Sequence, residues 1–145
     1  MNAAEFYQDV VKRNYEEFTN NPGDFRLLWN ALLSMNTVAE FVALDRLAYS
    51  PVSRSALSQT ADQIRDKNLA DLKCCAETFK HVRKIQDHRK PVPKFMTIET
   101  STGISSYDRT TWTIGSHDLV DVLQQASATI AAFPELKNEN SAHRL

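Results

Sequence analysis

The stretch from Asp24 to Leu47, DFRLLWNALLSMNTVAEFVALDRL, constrains the fold more than any other part of the chain. Its apolar residues do not keep to one stripe. Phe25, Leu28, Leu32, Met35, Ala39 and Val42 recur on one helical face, and Leu27, Ala31, Val38 and Phe41 widen it. Leu33, Ala43, Leu44 and Leu47 extend it again, leaving a narrow polar seam through Arg26, Asn30, Ser34 and Thr37. A helix apolar over most of its circumference has to be covered on several sides. The stretch is therefore expected to be the central helix of a bundle. Arg26, Asn30, Asn36, Glu40, Asp45 and Arg46 interrupt it, which argues against a membrane span and predicts no membrane partner.

The flanking residues supply the cover. Phe6, Val10, Val11, Tyr15 and Phe18 recur at helical spacing, so a first helix is expected from about Ala3 to Thr19, with Asn2 as its N-cap. Asn20-Asn21-Pro22-Gly23 breaks it, and Asp24 can cap the central helix. So short a break makes the two helices neighbours. After the connection Tyr49 to Ser53, a helix over Ser55–Asp66 would turn Ala56, Leu57, Ala61 and Ile64 inwards. Asn68 then caps a clearer helix through about Gln86, whose apolar face is Leu69, Leu72, Cys75, Ala76, Phe79 and Val82. These two segments could equally form one bent helix.

Pro91-Val92-Pro93 stops helical structure. Met96, Ile98 and Thr100 then alternate with Thr97 and Glu99, and Thr110, Trp112 and Ile114 alternate with Thr111 and Thr113. That pattern predicts a β-hairpin with its loop near Gly103 to Tyr107. A lone hairpin is marginal in water, so it should lean on the helices. Ser116 is the expected N-cap of a last helix bearing Leu119, Val122, Leu123, Ala126, Ile130 and Phe133, which Pro134 ends. The fold class expected is mainly α, a helical bundle of four to five helices with a small β-hairpin insert before the last helix. Residues 1–134 form one domain and residues 135–145 a flexible tail.

Charge and thiols narrow the setting. The formal net charge is −1, so no global field recruits nucleic acid or an anionic membrane. The amino terminus lacks the apolar run of a signal peptide, and Cys74 and Cys75 are adjacent on a helix, where their side chains diverge by roughly 100°. Two such thiols make no disulfide framework. A reduced, cytoplasmic protein is the expectation.

Local charge is less even. From Thr78 to Lys94 there are six Lys or Arg against one acid. Lys80, His81, Arg83, Lys84, His88, Arg89 and Lys90 could hold phosphate, making RNA or another nucleic acid a candidate partner. Cations at a helix carboxyl end also stabilise its dipole with no ligand at all. Cys74, Glu77, His81 and His88 lie near one helical face and could each ligate a metal, but no CxxC or HExxH motif supports them. No metal and no cofactor are expected. There is no GxSxG elbow and no P-loop, and Ser116-His117-Asp118 is accounted for by helix capping.

The pairing of ALLSMNTVAEF (Ala31–Phe41) with DLKCCAETFKH (Asp71–His81) resembles small bacterial HEPN-type helical-bundle proteins. In that family the second helix ends in an Asn-x-x-Lys-His or related motif; Lys80-His81 fits it, with Glu77 in the Asn position. The resemblance covers about Phe25 to Lys84 and a terminal helix. It implies dimers paired through long helices. For the active members it also implies metal-independent RNA cleavage by an arginine followed four to six residues later by a histidine. Arg83 and His88 have that spacing, with His88 then the acid/base and Arg83 stabilising phosphate charge.

The expected function is binding or assembly without catalysis, as a homodimer that meets an RNA or protein partner. The alternatives are a HEPN-type endoribonuclease in a toxin or phage-defence setting, and a nucleic-acid binder using residues 80–94.

Overall fold

The structure is a computed structural model that describes residues 1–48, 53–80, 104–106, 112–114 and 117–137. It is mainly α-helical, with an antiparallel hairpin inserted before the last long helix. The chain opens with α1 (Ala3–Phe6), whose start is a full capping box. Asn2 Oδ1 accepts from the Glu5 amide, and the Glu5 carboxylate accepts from the Asn2 amide. The helix widens into a π-helical segment over Tyr7–Val11 and tightens again as α2 (Lys12–Asn20).

Asp24 caps α3 (Phe25–Arg46), accepting from the amides of Arg26 and Leu27. Ten residues of α3 are buried, and α1, α2, α4, α5 and α6 all pack against it. The expected polar seam turns towards a neighbouring helix over much of its length. Asn14 Nδ2 on α2 donates to Ser34 Oγ at 3.2 Å, and the Ser34 hydroxyl donates to the Asn30 carbonyl at 2.6 Å. Only Arg26, at the helix start, projects to solvent. By length and composition α3 would also cross a membrane, yet 61% of its most apolar window is buried inside this fold. Most of the cover that its circumference demands thus comes from the chain itself. Truncating Leu28 or Leu32, both fully buried, to alanine would cost about 2–5 kcal/mol.

The next segment is two helices, α4 (Arg54–Ile64) and α5 (Lys67–Lys80), parted where Arg65 becomes extended. The expected cap at Asn68 is displaced. Asp66 accepts from the Leu69 amide at 2.9 Å, while Asn68 Nδ2 donates to Thr129 Oγ1 on α6. The shift follows chemistry, because a carboxylate two residues upstream caps as well as an amide and leaves Asn68 free to cross to α6.

Strands β1 (Ile104–Ser106), β2 (Trp112–Ile114) and β3 (His117–Asp118) form a small antiparallel sheet in that order. Ser106 pairs with Trp112, so β1 occupies the stretch near Gly103 to Tyr107 where the loop was expected, and five residues link it to β2. A five-residue link keeps the closure entropy of this hairpin small. Residues 96–100 lie outside the described residues. Ile114 is wholly buried in the main core beside Leu119, Leu123 and Ile130.

Asp118, not Ser116, caps α6 (Leu119–Ala131), accepting from the Val120 and Asp121 amides. Pairing of His117 and Asp118 with β2 keeps both residues extended and moves the helix start two residues on. Pro134 opens the short helix α7 (Pro134–Lys137), where Pro at a first helical position is favourable. The ordered bundle therefore runs past residue 134: Leu136 is buried in the main core and α7 packs against α1. Residues 138–145 lie outside the described residues.

Candidate functional site

Of the sequence candidates, Lys80 is the last residue of α5. His81, Arg83, Lys84, His88, Arg89 and Lys90 lie outside the described residues. Cys74 and Glu77 sit on α5 as the helical spacing requires, with His81 and His88 again outside the described residues. Among the described residues no group of three or more His, Cys, Asp or Glu side chains is placed to hold a metal.

The thiols are poor nucleophiles where they stand. Cys75 is wholly buried, and burial, with the neighbouring Cys74 and Asp71, pushes its thiol up to about 12. Cys74 is half-buried, and burial followed by the charges of Asp71 and Glu77 moves its thiol in the same direction. Thiolate is the reactive form, so both stay protonated and inert near neutral pH. Several of the acids serve as structure: Asp24, Asp66 and Asp118 cap helices, and Asp45 Oδ2 accepts from the Ala3 amide at 3.1 Å.

The feature that sequence reasoning misplaced is aromatic. Helical spacing put Phe25 on the buried face of α3, but at the first position of the helix it is 37% exposed. Its ring meets Trp29 one turn on, with centroids 6.2 Å apart, and Trp112 of β2 at 5.4 Å, both tilted by just over 50°. Tilted arrangements at these separations are favourable beyond the area they bury. Trp112 Nε1 donates to the Pro22 carbonyl at 2.7 Å, which fixes the strand to the turn that precedes α3. Asp24 and the exposed Arg26 flank the group, with Arg26 3.9 Å from the Asp24 carboxylate. The available signal was the pair Phe25 and Trp29 at a spacing of four beside a Pro-Gly turn. The Trp112 partner is 87 residues from Phe25 and carried no such local mark.

No family model, curated protein or solved structure matches the chain. What the described residues offer is a partly exposed aromatic cluster with a cation and a carboxylate at its edge. Such a group makes contacts. It carries no proton-transfer pair and no activated nucleophile of its own.

Proposed function

We propose that this chain works by binding and assembly, and that its first partner is a second copy of itself, joined at the aromatic end of α3. The observation that carries the reading is Phe25, a large apolar side chain held at the surface between two tryptophans. Aromatic side chains and arginine are enriched where protein interfaces concentrate their energy, and a cluster already fixed by packing loses little entropy on binding. Arg26 beside Asp24 offers a self-complementary charge pair across a two-fold axis. Light scattering tests it: the expected mass is twice the 16.5 kDa chain, returning to one chain weight in Phe25→Asp. A single-chain mass for the parent protein at micromolar concentration would reject it.

A second reading is favoured by one observation. The stretches that carry the HEPN resemblance lie, as far as Lys80, on α3 and α5, and these helices pack directly on each other. On that reading Arg83 and His88 would act on RNA without metal, and the decisive experiment is cleavage in the presence of chelator.

A further inference from the structure

Helix α4 is held more lightly than α3 and α6. It buries one residue, Ala61, against five in α6 and ten in α3. Ala61 belongs to a small core of its own with Ala39 and Ala43 of α3, bordered by Leu57 and Ile64. Of these residues only Ile64 also reaches the main core. Three alanines bring two helices close but bury little area, so the apolar term holding α4 is small.

The Asp62 ties of α4 are peripheral, whereas Arg65, just past its end, makes a buried one to α3. Asp62 receives Lys73 Nζ of α5 at 2.8 Å and Arg65 at 2.9 Å, but its side chain is 51% exposed, where ion pairs contribute little. Beneath this corner lies the second observation. Asn36, one turn before Ala39 on α3, is 5% exposed, and its Oδ1 has no hydrogen-bond partner among the described residues. The Arg65 guanidinium, with a side chain only 6% exposed, reaches the Asn36 backbone carbonyl at 3.4 Å and not its side chain. A buried acceptor without a donor disfavours the state that buries it, and lifting the cover lets water satisfy it.

We infer that α4 is a releasable cover on α3. It detaches as a unit while α3, α5 and α6 stay packed, and the buried Asn36 side chain biases it towards release. Regions with few buried apolar contacts open locally at lower free energy than the whole fold. Release uncovers the Asn36, Ala39 and Ala43 side of α3 and leaves the main core closed.

Amide hydrogen exchange on the full chain tests the inference residue by residue. Amides within α4 are expected to exchange at least about tenfold faster than mid-helix amides of α3, α5 and α6. Asn36→Leu removes the orphan acceptor and keeps the backbone carbonyl that Arg65 uses. It is expected to slow α4 exchange about tenfold, with α6 little changed. Ala61→Leu should wedge the helices apart and speed exchange in α4 while protection in α5 and α6 persists. Exchange of α4 at the rate of the other helices in the parent would overturn the inference. So would an Asn36→Leu protein with unaltered α4 rates. Should Asn36→Leu not fold, Ala61→Leu decides: protection lost equally from α4, α5 and α6 means that α4 has no independence.

Discussion

Arg46 and Glu135, 89 residues apart, clasp the end of α3 to the short helix α7, Nε to Oε2 at 2.9 Å and the second nitrogen to Oε1 at 3.4 Å. The Arg46 guanidinium also lies 5.8 Å from the centre of the Phe133 ring. Burial alone would raise the Glu135 carboxyl, but hydrogen bonding and charge from Arg46, with a backbone hydrogen bond, outweigh it and hold the group below its ordinary value. The hydrogen bond to Glu135 raises Arg46 in turn.

The first prediction follows from that pair. A carboxylate with a lowered folded-state pKa contributes stability above its unfolded value, 4.5 here, and loses it as pH falls through the folded value. Arg46 is 42% exposed, so the contact is worth about 0.5–1 kcal/mol at neutral pH and no more. Glu135→Gln should lose that amount in urea unfolding and show a shallower loss of stability below pH 4.5. Arg46→Ala should cost more, since it also removes the cation from the Phe133 ring.

Ala48 gives a prediction of opposite sign. It follows α3 with φ of 53°, and its amide donates to the Asp45 carbonyl at 3.1 Å. A left-handed residue after a helix is usually glycine, because a β-carbon crowds the following carbonyl there. Ala48→Gly should therefore stabilise the fold by about 0.5–1 kcal/mol, after the larger unfolded-state entropy of glycine is subtracted. The urea midpoint should rise with an unchanged slope. A fall in the midpoint would mean that the left-handed turn is not kept in solution.

Cys75 contributes to the loss of stability at alkaline pH. Its folded thiol is pushed up to about 12 from an ordinary 9.0, so between those values the unfolded chain loses a proton that the folded chain keeps. Stability contributed by this group is intact below pH 9 and drains away as pH rises towards 12. Cys75→Ala should flatten that alkaline fall while lowering stability at neutral pH through the cavity it leaves. A thiol reagent at pH 8 should modify Cys75 only as fast as the protein opens. Rapid labelling of both thiols in the native protein would contradict the burial.

The parts of this fold that were legible in the sequence are those fixed by local chemistry. Asp24 and Asn2 stand alone beside their helices as good caps, and both cap. Ser116 and Asp118, or Asp66 and Asn68, offer two suitable caps two residues apart, and the choice was made by distant partners: β2 in one case, Thr129 in the other. The π segment left no trace. A wider turn between Phe6 and Val11 keeps both residues near the core, and apolar spacing tolerates the one extra residue. The hairpin's composition was plain, but its register was set by closure length and by Ile114 reaching the core. The aromatic cluster was half legible for the same reason: Phe25 and Trp29 are one turn apart, whereas Trp112 arrives through the sheet.

The last prediction separates assembly from the ribonuclease alternative, which rests on the spacing of Arg83 and His88. If the chain is an assembly protein, mixed RNA incubated with it in chelator should stay intact, and His88→Ala should behave as the parent does. Salt gives an independent reading of the basic stretch. Binding through Lys84, Arg89 and Lys90 would weaken steeply as salt rises, and removing those three charges would flatten the dependence. Dipole compensation at a helix end predicts something else: those substitutions change stability by a few tenths of a kcal/mol each, with no RNA retained at low salt. Cleavage that persists in chelator and vanishes in His88→Ala would transfer the function to the enzymatic reading. Phe25→Asp adds a further arm in that case. Family members of the HEPN type assemble their active pair across a dimer, so loss of cleavage on monomerisation would join the two readings at one interface. Cleavage unaffected by Phe25→Asp would place any dimer contact elsewhere.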